Sequence, residues 1–166
     1  MNIDYMSDLH LDFYIDPEGN QENYMAKTRA FLQKLLPENL SEVLVLAGDI
    51  SHFNQQSFDT LHFFSEHYKQ IFFVFGNHDY YLISKKQRRK YHETSNEREK
   101  ELLEMVTALH NVHVLRDFAV FTYNSIRFAG STCWYPLETF EQQPGYYNPL
   151  LTENRLVHIQ MYEPIC

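Results

Sequence analysis

The chain has 166 residues, 44% of them hydrophobic, with 13 Phe and 12 Tyr; this excludes a disordered protein and allows one domain whose core is filled largely by rings. Its 14 basic and 22 acidic residues leave a formal net charge of −8, which argues against strong non-specific nucleic-acid binding and against adhesion to anionic membrane. Two cysteines, Cys133 and Cys166, make neither a disulfide framework nor a thiolate zinc site, and no apolar run approaches the ~20 residues of a membrane span, so a cytoplasmic protein is expected.

Residues 2 to 6 predict a short strand that ends at Ser7-Asp8. Asp16-Pro17-Glu18-Gly19-Asn20 is turn material. Tyr24 to Leu36 carries helical spacing in Phe31, Leu32, Leu35 and Leu36, and stops before Pro37. Val43 to Ala47 is a continuous apolar run, the pattern of a parallel strand buried on both faces. Phe58 to Tyr68 reads as a helix and Ile71 to Phe75 as a second buried strand. Ser84 to Leu109 is charged and helix-prone, with Leu102, Leu103 and Val106 forming an apolar stripe. Val112 to Leu115, Phe118 to Tyr123 and Ile126 to Ala129 are short strands, with Asn124-Ser125 as the turn between the last two. Pro136, Pro144, Gly145 and Pro149 mark irregular chain, followed by a short helix near Glu153 to Tyr162. Strands alternating with helices predict an α/β domain with parallel central strands.

Three polar clusters follow three of these strands: Ser7-Asp8-Leu9-His10, Gly48-Asp49 and Gly76-Asn77-His78-Asp79. In open α/β sheets ligands bind at the carboxyl ends of the strands. Asp8, His10, Asp49, Asn77, His78 and Asp79 should therefore converge on one sheet edge. Carboxylates and imidazoles without thiolates suit Mn, Fe, Zn or a similar divalent ion. One carboxylate can also bridge two ions ~3.5–4 Å apart. Glycines before Asp49 and Asn77 would let the backbone turn sharply and approach closely.

The order of these motifs, the strand before each and the intervals between them resemble the calcineurin-like metallophosphoesterase superfamily, in its bacterial or phage type, over roughly residues 1 to 135. Gly130-Ser131-Thr132-Cys133-Trp134 adds to the likeness. The resemblance implies an α/β sandwich of helix-flanked mixed β-sheets. It implies that Asp8 and His10 bind a first metal, that Asp49 bridges two metals and that Asn77 binds the second. His78 would face the substrate phosphate and protonate the leaving oxygen, with Asp79 orienting its ring. The implied activity is hydrolysis of a phosphomonoester or phosphodiester at a dinuclear centre, with one or two divalent ions per chain. The implied partner is a phosphoester substrate, with nucleotides among the candidates.

Nothing after Trp134 reads as the family's Gly-His-x-His motif, and His158 is the one histidine in that stretch. The chain is therefore expected to be a single domain over residues 1–166, C-terminally incomplete relative to the family, whose uncovered sheet would favour a homo-oligomer. Asp8, His10 and Asp49 can hold one ion, whereas Asp49 and Asn77 alone make a poor second site. That arithmetic keeps open a weakly active or inactive remnant acting as a binding protein, or a chain completed by a partner. His52 is expected in a loop at the site mouth, with an auxiliary ligand role as the alternative. The basic run Lys85 to Lys90 reads as a solvated helix start, or else as a rim that steers a phosphorylated substrate. Tyr80, Tyr81 and Trp134 read as packing residues, with base stacking as the alternative.

Overall fold

The computed structural model describes residues 1–132 and the strand 157–162. Cys133, Trp134, the irregular stretch from 136 to 149, Glu153 and Cys166 lie outside the described residues.

Four parallel strands form the main sheet: β1 (Ile3–Met6), β2 (Val43–Ala47), β3 (Gln70–Val74) and β4 (Val112–Val114), in that spatial order. Parallel neighbours cannot be joined by a hairpin, so each connection crosses over through helix. Helix α1 (Gln21–Gln33) joins β1 to β2, and α2 (Asn54–Ser65) joins β2 to β3. The β3–β4 connection holds two helices, α3 (Lys85–Lys90) and α4 (Ser95–Val106). An antiparallel sheet of β5 (Val120–Tyr123), β6 (Ile126–Thr132) and β7 (Val157–Tyr162) follows.

The strand period of two divides the core. Leu44, Leu46, Ile71 and Phe73 face the helices and pack with Leu32, Leu61, Phe64 and Leu102. Val43, Val45, Phe72 and Val74 face the other way, toward Leu115 and Phe128. Phe72 stacks on Phe128 at 3.9 Å between centroids, 11° from parallel, and this contact seats the second sheet on the first. With both faces covered, β2 and β3 need the unbroken apolar runs seen in the sequence.

Two expectations are corrected. The single helix expected over Ser84 to Leu109 is two helices. His92 and Glu93 adopt left-handed backbone, at φ 51° and 61°, and Thr94 then starts a new helix by accepting a hydrogen bond from the backbone of Glu97. Ser84 caps α3 in the same way through Gln87. The helix expected near Glu153 to Tyr162 is instead strand β7, paired with β6 so that Ser131 lies opposite His158. Val157 and Ile159 alternate with His158 and Gln160, and pairing with the edge of β6 decides in favour of the strand. The Asn124-Ser125 turn is as expected, with both residues left-handed as a tight hairpin requires. None of the described helices is long and apolar enough to cross a membrane.

Candidate metal centre

Three loops leave the carboxyl ends of β1, β2 and β3 and carry all six sequence-derived candidates. The first two loops continue as a backbone ladder beyond the strands. Asp8 N donates to Gly48 O, His10 N to Asp49 O and Leu11 N to Ile50 O, at 3.2, 3.0 and 2.9 Å. Asp8, His10 and Asp49 all have left-handed backbone, at φ 56°, 41° and 56°. Such conformations cost ~1–3 kcal/mol each and persist where the surroundings enforce them, typically at functional sites. The glycines make room for this crossing. Gly48 has φ 81°, and a Cβ there would lie 2.4 Å from Gly76 N; a Cβ on Gly76 would lie 2.2 Å from Asp49 Oδ1.

One ligand atom from each of His10, Asp49 and His78 lies within 4.8 Å of the others. Asp8 Oδ1 stands 3.9 Å from His10 Nε2 at the solvent side. Asn77 donates its amide nitrogen to Tyr81 Oη at 3.0 Å, which turns the amide oxygen into the available donor atom. His10 Nδ1 is buried without a hydrogen-bond partner among the described residues. The set is oxygen and imidazole without thiolate, and one of its imidazoles, His10, has a buried ring nitrogen left over. These residues fit a divalent cation of the Mn, Fe or Zn type.

His78 is held below the usual histidine range by burial, opposed by the Asp49 carboxylate and reinforced by the His52 and His10 rings. A neutral imidazole is the form that binds a cation or accepts a proton.

Asp79 does not meet the His78 ring. Its wholly buried carboxylate accepts from the backbone N–H of Asp49 at 2.8 Å, Ile50 at 3.2 Å and Gly76 at 2.8 Å. It staples the loop after β3 to the loop after β2. Burial pushes its pKa up to about 6, against the pull of the Gly76 N–H and the Arg98 guanidinium.

The ring of His78 is met by His52, expected from the sequence in a loop at the site mouth or as an auxiliary ligand. His52 Nε2 lies 2.8 Å from His78 Nδ1. Behind it, Asp12 Oδ2 lies 2.7 Å from His52 Nδ1, and Asp12 Oδ1 accepts from His52 N at 3.1 Å. Both side chains are 6% exposed. Burial raises the Asp12 pKa, yet the bonds and charge interaction with His52 outweigh it and hold Asp12 below the ordinary carboxylate range. An ionised Asp12 can only accept, so His52 Nδ1 carries the hydrogen. With both rings neutral, His52 Nε2 then accepts from His78 Nδ1, and His78 Nε2 is left with a lone pair. Two sequence positions carried this signal: Asp12, two residues beyond His10, and His52, three residues beyond Asp49.

Phe13 stacks on His10 at 5.2 Å and 10°, remains 66% exposed, and forms a wall beside the imidazoles. Tyr81 lies 5.1 Å from the His78 ring. Tyr80 is a core residue that packs on Phe75.

A parallel sheet whose strand ends bring His10, Asp49 and His78 within 4.8 Å of one another defines an α/β protein with a candidate cation site at its strand ends. The chain belongs to the calcineurin-like phosphoesterase family, whose family model matches residues 1–155. Membership supports a metal-dependent phosphoesterase-type hydrolase in general. Among solved structures the chain is similar to the phosphopantetheinyl hydrolase PptH from Mycobacterium tuberculosis, at 21% identity and a TM-score of 0.45. That likeness covers 72% of this chain and 37% of the length of that one. A comparison with curated proteins finds no match.

Proposed function

We propose that this chain hydrolyses a phosphomonoester or phosphodiester, with divalent cations held by Asp8, His10, Asp49 and Asn77 and with His78 beside the substrate phosphate. The observation that carries the reading is the approach of His10, Asp49 and His78 within 4.8 Å, at the ends of three parallel strands. A bound cation supplies charge stabilisation at phosphoryl oxygens and lowers the pKa of water.

The residues divide the remaining work. Asp49 is the carboxylate of the cluster, and its Oδ1 also accepts the His78 backbone N–H at 2.8 Å; it would be the carboxylate shared between two ions. Asp8 and His10 would complete the ligands of a first ion, and the Asn77 amide oxygen would support a second. His78 Nε2, with its lone pair outward, would take a proton from solvent water, Asp12 would stabilise the resulting imidazolium through His52, and that proton would then pass to the leaving oxygen. Phe13 walls the imidazole cluster on one side. Nucleotides are among the candidate substrates.

The test is to strip the protein of metal, titrate it with Mn(II), and follow hydrolysis of p-nitrophenyl phosphate and bis-p-nitrophenyl phosphate. Activity should return with metal. His78→Ala should lower the rate ~10²–10⁴-fold, the usual contribution of a proton-transfer group, while the first ion stays bound. Wild-type protein that binds no divalent ion would reject the proposal. Binding without turnover would favour the non-catalytic reading, a binding protein on this fold.

A further inference from the structure

Arg98, on α4, has 0% of its surface exposed. Its side-chain N–H groups are turned to the metal-site loops. Nη2 donates to Ser51 O at 2.9 Å, and Nη1 donates to His78 O at 3.0 Å and to Tyr81 O at 2.6 Å. Nε donates to the Asn54 side chain at 3.1 Å, at the start of α2. Gln87, on α3 and also buried, donates Nε2 to His52 O at 2.7 Å, and its Oε1 accepts from Ile83 N at 2.8 Å. Four consecutive-loop carbonyls are therefore taken up by two side chains of the β3–β4 connection: Ser51 and His52 from one loop, His78 and Tyr81 from the other.

We propose that Arg98 and Gln87 are positioning residues that lock the loops after β2 and β3 to each other, and so fix the separation of Asp49, His52 and His78. Three features single out this pair. The carbonyls all belong to His52, His78 or residues touching them: Ser51 precedes His52, and Tyr81 contacts both His78 and Asn77. The planar guanidinium fork reaches carbonyls from two loops at once with its N–H groups in fixed directions, a geometry that the compact ammonium of a lysine does not reproduce. Finally, the buried cation has a buried counter-charge in Asp79, whose carboxylate joins the same two loops from their other side through Asp49, Ile50 and Gly76 N–H. Carboxylate on N–H groups and guanidinium on carbonyls thus hold one pair of loops by complementary ends. The catalytic consequence rests on the phosphoesterase reading; the coupling of the loops does not.

The test compares wild type with Arg98→Lys and, as a milder change that leaves the buried cation in place, Gln87→Leu. Hydrogen exchange of metal-free protein is read on peptides spanning 48–53 and 76–81, with β5–β6 peptides as the reference. Mn(II) affinity is read by paramagnetic resonance, and kcat and KM on bis-p-nitrophenyl phosphate. In Arg98→Lys both loop peptides should exchange faster together while the reference stays fixed. Mn(II) affinity should fall about 10-fold or more, as for other residues that orient ligands, and kcat should fall more than KM rises. Gln87→Leu should speed exchange in 48–53 more than in 76–81. Unchanged exchange in both loops of a folded Arg98→Lys protein, or in 48–53 of Gln87→Leu, would overturn the proposal. If wild type binds no Mn(II) and hydrolyses nothing, the phosphoesterase reading fails, while the exchange data still decide whether the loops are locked.

Discussion

His52 Nε2 stands 2.8 Å from Nδ1 of His78, and the two rings meet edge-on at 4.7 Å between centroids. The carboxylate that orients this pair is Asp12, forty residues before His52, and not Asp79, the next residue in the chain after His78. A carboxylate behind an imidazole fixes its tautomer and supports its cationic form. Here that influence passes through one ring to reach a second.

Asp12→Asn tests this chain. The amide can donate to His52 Nδ1 as readily as accept from it, so the tautomer order of both rings is lost. The hydrolysis rate should fall about 10- to 100-fold, with Mn(II) binding close to wild type. NMR of the ring nitrogens should show His52 as a single tautomer, with its hydrogen on Nδ1, in wild type and as a mixture in the variant. Loss of Mn(II) binding in Asp12→Asn would instead make Asp12 part of the cation site.

Asp49→Asn should abolish metal-dependent hydrolysis and weaken cation affinity more than any other single ligand change. Its Oδ1 faces Gly76 and the His78 N–H, and its carboxylate lies within the His10–Asp49–His78 cluster. Calorimetric Mn(II) titration of Asp49→Asn beside Asp8→Asn checks this. Unchanged metal content in Asp49→Asn, with loss in Asp8→Asn, would remove Asp49 from its proposed bridging place.

Gly76→Ala should both destabilise the fold and impair the site. The added Cβ would lie 2.2 Å from Asp49 Oδ1 and 2.5 Å from Asp49 N. The second neighbour is backbone, so a side-chain rotation cannot relieve the clash. Overpacking of this kind costs ~1–3 kcal/mol. Urea unfolding of metal-free protein should show a lower midpoint at unchanged slope, and Mn(II) affinity should drop as Asp49 is pushed away.

Asp4 should contribute to the acid limb of stability. Its carboxylate accepts from Ser41 N at 3.1 Å, Ser41 Oγ at 2.7 Å and Tyr68 Oη at 2.9 Å, tying β1 to the segments that lead into β2 and β3. Burial raises its pKa, but the bonds from Ser41 and Tyr68 outweigh that and hold it below the ordinary 3.8. A depressed folded-state pKa means that stability is fully present above 3.8 and is lost as pH falls through the lower value. Asp4→Ala should cost ~1–2 kcal/mol at pH 7, allowing for solvent screening of a partly exposed group. The deficit should narrow below pH 3.8. Chemical unfolding at pH 7 and pH 3 compares the two limits, and a deficit independent of pH would assign the loss to packing.

Much of the framework was legible because its signals are local. Val43 to Ala47 matches β2 residue for residue, and the run beginning at Ile71 belongs to β3 with a shift of one residue at each end. Buried parallel strands demand continuous apolar chain, and few other elements of that length do. The boundary at Thr94 was harder to read, since a charged helix-prone stretch hides two residues of left-handed backbone. Strand β7 was misread because six residues can match either period, and the choice rests on the β6 edge beside it.

The same division runs through the site. By itself the sequence determined that Asp8, His10, Asp49, Asn77, His78 and Asp79 would sit at strand ends, because a polar cluster after a buried strand can lie nowhere else in such a sheet. It gave the donor types of the candidate site as well, since carboxylate, amide and imidazole groups suit one class of cation whatever their exact placement. Only the tertiary structure decided which of these groups touch. Asp79 spends its oxygens on three backbone N–H groups, His52 takes the place beside His78, Asp12 stands behind His52, and Arg98 reaches both loops from α4. These pairings depend on left-handed turns at Asp8, His10 and Asp49 and on a backbone crossing that only Gly48 and Gly76 permit. A hydrogen bond is made or lost within a few tenths of an ångström, and residues as far as 47 positions apart in the chain acquire that precision only when the loops are packed together.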